Sequence, residues 1–94
     1  MRFECKKTED CFAASLTWEY RLPISSRELE GRLTGWTVAE NHRYRRALMT
    51  ADKGAVNIKG ILDSPVIKVS YPEDGWEAEK AGFESWLTSE ADNG

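Results

Sequence analysis

Residues 54–71, Gly-Ala-Val-Asn-Ile-Lys-Gly-Ile-Leu-Asp-Ser-Pro-Val-Ile-Lys-Val-Ser-Tyr, decide the fold. Val56, Ile58 and Leu62 fall on one side of a two-residue period, against Asn57, Lys59 and Ile61. Asp63-Ser64-Pro65 breaks that run, because Pro removes a backbone donor and Asp and Ser favour turns. The period then resumes, with Ile67, Val69 and Tyr71 on one side and Val66, Lys68 and Ser70 on the other. Two half-buried strands joined by a short break read as an antiparallel pair.

Working outward toward the N-terminus, Asp52-Lys53-Gly54 is a turn in which Gly supplies a positive φ. Residues 43–50 read as the strand before it. Trp36 and Val38 alternate with Thr37 and Ala39 as a further strand, ending at a polar corner, Glu40-Asn41. Consecutive strands with short turns predict an antiparallel meander.

Upstream lies the clearest local signal. Ser25 and Glu28 have the spacing of a capping box, flanked by Ile24 and Leu29 as a hydrophobic staple. Leu33 extends the apolar stripe, Glu28 and Arg32 are spaced to pair, and Gly35 supplies a stop. A helix over 26–34 is expected, weakened by about 1 kcal/mol at Gly31 relative to Ala. Before it, residues 1–6 alternate with Met1, Phe3 and Cys5 on the apolar side. After a polar turn, Ala14, Leu16, Trp18 and Tyr20 point inward and Ser15, Thr17, Glu19 and Arg21 outward. This predicts a β-hairpin with a longer loop.

Downstream of Tyr71, Pro72 ends the sheet, and Asp74 with Glu77 forms a second cap pair. Trp76, Phe83 and Leu87 make one helical stripe that Trp86 widens, with Glu77, Ala81 and Glu84 outside it. The order is ββαββββα, an α+β fold with a mainly antiparallel sheet and the C-terminal helix on one face. Residues 1–88 read as a single domain, and 89–94 as a polar tail that frays.

Composition agrees. Ninety-four residues suit one domain and its core, and the 11% aromatic fraction argues against disorder. No apolar run approaches the ~20 residues that span a bilayer, and the N-terminus lacks the apolar stretch of a secretory signal. A reducing, cytoplasmic setting without membrane contact is the expectation. Cys5 falls on the apolar parity of its strand and is expected to pack as a small hydrophobe. Cys11 sits beside Glu9 and Asp10, which would raise its pKa.

The net charge of −3 is unevenly spread. Residues 1–35 balance to zero, 36–71 carry +3, and 72–94 carry −6. Either the two charged segments are surfaces for different partners, or the acidic helix lies across the basic sheet and neutralises it. The second is the favoured reading, since so small a chain brings its segments together.

Enzyme chemistry has little to work with. His42 is the single imidazole, two cysteines and one histidine do not make a structural zinc site, and neither a Gly-x-Ser-x-Gly elbow nor a Gly-rich phosphate loop occurs. No cofactor, metal or catalytic residue is expected. The suggestive stretch is His42-Arg43-Tyr44-Arg45-Arg46. Alternation sends Arg43 and Arg45 outward with Lys59 and Lys68 on neighbouring strands, one sheet face bearing four cations. Simple alternation points Arg46 inward. Either a β-bulge at Arg45-Arg46 re-aims it or it reaches the sheet edge and pairs with an acid of the C-terminal helix, and the bulge is the favoured expectation.

Met49, Ile61 and Val66 take the same outer parity, so the face mixes apolar and basic groups. That composition suits a protein partner; scattered surface hydrophobes are the plain alternative. The predicted function is a small non-enzymatic protein-interaction module, an adaptor, assembly or regulatory subunit or inhibitor. Its contact residues would be Arg43, Arg45, Met49, Lys59, Ile61, Val66 and Lys68. It would act as a monomer or a homodimer. The competing reading is a nucleic-acid binder gripping phosphates through Arg43, Arg45, Lys59 and Lys68. It is weaker, because sheet-based single-strand binders display aromatic rings, and Trp18, Trp36, Tyr44 and Tyr71 all take the inward parity.

Overall fold

Alternation along Val56–Ile61 and Val66–Tyr71 buries Val56, Ile58, Ile67, Val69 and Tyr71 on one face. These are β5 and β6 in a computed structural model that describes residues 2–7, 16–43 and 45–90. The remaining elements are β1 (Glu4–Lys7), β2 (Leu16–Arg21), α1 (Ser26–Glu30), β3 (Thr37–Asn41), β4 (Leu48–Lys53) and α2 (Trp76–Glu90). The order is ββαββββα, and the fold is α+β. One six-stranded antiparallel sheet runs β1-β2-β6-β5-β4-β3. Among the described residues no helix is long and apolar enough to cross a membrane. Met1, the segment after Lys7 that holds Cys11, Ala14 and Ser15, Tyr44, and the chain beyond Glu90 lie outside the described residues.

α1 is only five residues long, too short to persist alone, since helix nucleation is unfavourable. It ends at Gly31, earlier than expected, and Leu33 is buried from the turn that follows. Its cap forms as read, with Glu28 N donating to Ser25 Oγ at 3.3 Å. The rest of its support is tertiary. Ser26 N donates to Ser64 O at 2.8 Å and Arg27 N to Leu62 O at 3.1 Å. The break between β5 and β6 thus supplies the acceptors that the first helical N–H groups lack within the helix. Ser26 is fully buried and its Oγ donates to Ser64 O.

α2 starts from Gly75, whose carbonyl accepts from Glu79 N at 3.2 Å, one residue later than the expected cap at Asp74. Phe83 and Leu87 are buried, and Trp76 and Trp86 pack partly against the core. The Phe83 ring lies 5.5 Å from Tyr20, 6.4 Å from Tyr71 and 5.8 Å from Trp86. The helix continues through residues 89 and 90, where fraying was expected. Thr88 Oγ1 donates to Glu84 O, Ser89 Oγ to Trp86 O, and Arg32 Nη1 to Glu90 O. Near its start Trp76 stacks on Trp18 at 5.0 Å, and the ammonium groups of Lys7 and Lys80 lie 5.5 and 5.3 Å from the Trp18 ring.

Glu84 departs from its expected place outside the stripe. Its carboxylate accepts from Tyr20 Oη at 2.7 Å, pairs with Lys80 at 2.6 Å and lies 3.8 Å from Cys5 Sγ. Tyr20 and Tyr71 share a hydroxyl contact at 2.7 Å. Burial pushes both phenols above their ordinary range. Burial also acts against the Glu84 charge, but hydrogen bonds from Lys80 and Tyr20 and the Lys80 charge outweigh it and hold the carboxyl below its ordinary value. The native state then binds fewer protons than the unfolded chain, so this contribution is present above the ordinary carboxyl range and lost as pH falls through the depressed value. In urea unfolding at pH 6 and pH 3, the wild type should lose about 1 kcal/mol more than Glu84→Gln, after allowing for solvent screening. Equal acid losses would show that Glu84 is not the linked group.

Cys5 is exposed, contrary to its expected packing. It faces the helix side opposite Tyr20, but β1 is an edge strand and leaves it at the rim. Burial raises its thiol pKa, partly offset by Tyr20 and Lys80, so it is a weak nucleophile at neutral pH.

Candidate interaction surface on the open sheet face

Both helices lie on one face. Ser26 of α1 sits against Gly60, which pairs with buried Met49 and Ile67, and Phe83 of α2 sits on Tyr20 and Tyr71. No described helix lies over the other face, and the register orders its side chains into three rows. The first runs Lys6, Glu19, Lys68, Lys59, Thr50, Ala39. The second runs Thr17, Ser70, Asn57, Asp52, Thr37 and is knitted by Thr17–Ser70 at 2.9 Å and Asn57–Asp52 at 2.6 Å. In the third, Glu4 faces Arg21, Arg21 faces Val66, and Ile61 faces Leu48, which faces Asn41.

Four of the seven expected contact residues belong to this face. Lys59 and Lys68 are exposed and directly opposite each other, and Ile61 and Val66 are half-buried at one end. The other three do not. Met49 is fully buried, 0% exposed, facing the helices with Ala51. Arg43 and Arg45 lie in the loop between β3 and β4, exposed and outside any ladder. The expected strand over 43–50 begins only at Leu48, because Asn41 Oδ1 accepts from Arg43 N at 2.9 Å and turns the chain. Arg46 is exposed in the same loop, so the expected bulge is replaced by the absence of a strand there. The loop that carries Arg43 and Arg45 leaves β3 at Asn41 and enters β4 at Leu48.

Electrostatics bear on the expected self-neutralisation. Glu19 lies 3.5 Å from Lys6, and among the described residues neither Lys59 nor Lys68 joins an ion pair. α2 packs on the opposite face, and among the described residues its ion pair outside the helix is Arg32–Glu90 at 4.0 Å. The acidic helix therefore does not lie across the lysines, which corrects the favoured charge reading. Like charges directly opposite on a sheet are destabilising, so the Lys59–Lys68 pair is not explained by stability.

Sequence reasoning missed a second cluster. Glu30 at the end of α1, Glu40 of β3 and His42 converge on the helix side, with His42 Nε2 at 2.8 Å from Glu40 Oε1. Glu30 Oε2 is buried and has no hydrogen-bond partner among the described residues. Burial, then hydrogen bonding with and repulsion from Glu40, push Glu30 up. Glu40 is held down by hydrogen bonds from Glu30 and His42. The signal was faint, since Glu30 is ten residues from Glu40 and twelve from His42, and the cluster appears only when the end of α1 comes beside β3. Among the described residues no group of three His, Cys, Asp or Glu could hold a metal ion.

No family model, curated protein or solved structure matches the chain.

Proposed function

We propose that the protein is a non-enzymatic interaction module that docks a protein partner on its open sheet face. The observation that carries this reading is the Lys59–Lys68 pair beside Leu48, Ile61 and Val66. A partner presenting a carboxylate over the two ammonium groups would relieve their repulsion. Apolar side chains beside it would cover the aliphatic end, and Arg43 and Arg45 in the β3–β4 loop would add further charge. The nucleic-acid reading gains less support, because no aromatic ring lies in the three described rows.

The test exploits the cost of that pair. Lys59→Glu places opposite charges across β5 and β6 and should leave stability unchanged or raise it by about 0.2–1 kcal/mol. The same change should remove the protein's specific partners in affinity capture with mass-spectrometric readout. An unaltered partner set would overturn the proposed face. Saturable binding of single- or double-stranded oligonucleotides at moderate salt, lost in Lys59→Glu, would transfer the face to the competing reading.

A further inference from the structure

A second concave site lies on the helix side, away from the open face and independent of its function. α2 crosses the sheet over β2 and β6, and between it and the ends of β3–β5 remains a cavity of about 360 Å³. This volume falls within the range of small-ligand sites. Phe83 forms its floor. Trp36 packs edge-on against Phe83 at 6.1 Å, and the Trp86 ring, which also lines the cavity, lies 5.8 Å from Phe83 at 33°. Trp36 is set in place by Gly35, whose φ of +86° turns the chain into β3.

Two further features indicate what fits. Lys53, at the end of β4, lines the cavity from the sheet wall and Glu79 from the α2 wall, and among the described residues neither joins an ion pair. Gly82 lines the cavity from the middle of α2, where glycine costs a helix about 1 kcal/mol relative to Ala. A Cβ built there meets nothing within 4 Å, so close packing does not require the glycine. The helix forgoes stability, and the space stays open.

We propose that this cavity binds a free aromatic α-amino acid. The ring stacks among Trp36, Phe83 and Trp86, the carboxylate faces Lys53, and the ammonium faces Glu79. A ligand with either charge alone would satisfy one wall and set a like charge near the other. The zwitterion satisfies both.

The full chain is titrated with L-phenylalanine, read by tryptophan fluorescence at wavelengths where the ligand is silent. Parallel titrations use 3-phenylpropionate, which lacks the ammonium, phenethylamine, which lacks the carboxylate, and L-alanine, which lacks the ring. Saturable binding of phenylalanine is expected, with each truncated ligand weaker by about tenfold or more. Glu79→Gln should weaken phenylalanine and spare 3-phenylpropionate, and Lys53→Gln should weaken phenylalanine and spare phenethylamine. Gly82→Leu fills the space with a better helix former and should abolish binding while the fold is kept. No saturable response in the millimolar range, equal binding of a truncated ligand, or retained binding in folded Gly82→Leu would each overturn the proposal.

Discussion

Phe83→Ala should destabilise the protein by about 3–5 kcal/mol, the range for removing a large aromatic side chain from a core. Phe83 is 6% exposed, and its ring meets Tyr20, Trp36, Tyr71 and Trp86. It is therefore the side chain through which α2 joins both the central strands and the chain entering β3. Domains of this size are stable by only about 5–15 kcal/mol, so the loss is a large share of the total. The two tyrosine rings cannot close the gap, because Tyr20 and Tyr71 are tied to each other, and Tyr20 to Glu84, through their hydroxyls. Equilibrium urea unfolding measures the change. A loss below 1 kcal/mol would show that α2 is held by Leu87 and the Trp76–Trp18 stack instead.

Gly60→Ala should cost about 1–3 kcal/mol, the range for overpacking, although alanine suits a strand better than glycine. The added Cβ would lie 2.6 Å from Ser26 Oγ and 3.0 Å from Ile67 Cγ2. Ser26 cannot swing away without breaking its bond to Ser64 O, and Ile67 is fully buried. Ser26→Ala alone loses that bond. In the double variant it removes the closer clash, so the two changes should be less harmful together than their sum. Strict additivity in thermal unfolding would refute the close approach of α1 to β5.

The contrast between these sites shows what was legible in the sequence. Phe83 stood on a visible helical stripe, and the strands at 56–61 and 66–71 announced themselves by period, because each has one buried face. Gly60 gave no such sign, since its role depends on a helix thirty-odd residues earlier in the chain. The strand at 43–50 misled for a physical reason. Counting parity forward from Arg43 sends Met49 to solvent, whereas counting back from the turn at Gly54 through Ala51 sends it inward. Asn41, which turns the chain with its own side chain, is the local signal that breaks the forward count. Glu84 fell outside the apolar stripe because a hydrophobicity pattern cannot register a carboxylate drawn in by the Tyr20 phenol and a lysine. The open face followed from geometry alone, as two helices cover one side of a sheet. The Lys59–Lys68 pairing needed the register.

The sheet order has a kinetic meaning. β3 to β6 pair with their immediate neighbours in the chain, and so do β1 and β2. The ladder between β2 and β6 is different, joining Arg21 to Val66 and Leu16 to Tyr71. The entropy of closing a long loop is concentrated in that one seam. It divides the sheet into a meander and a hairpin that can each zip locally, and α1 spans the gap between them. Search time in folding falls on the meeting of those two pieces, and Tyr20 and Tyr71, whose hydroxyls meet 2.7 Å apart, stand on its two sides.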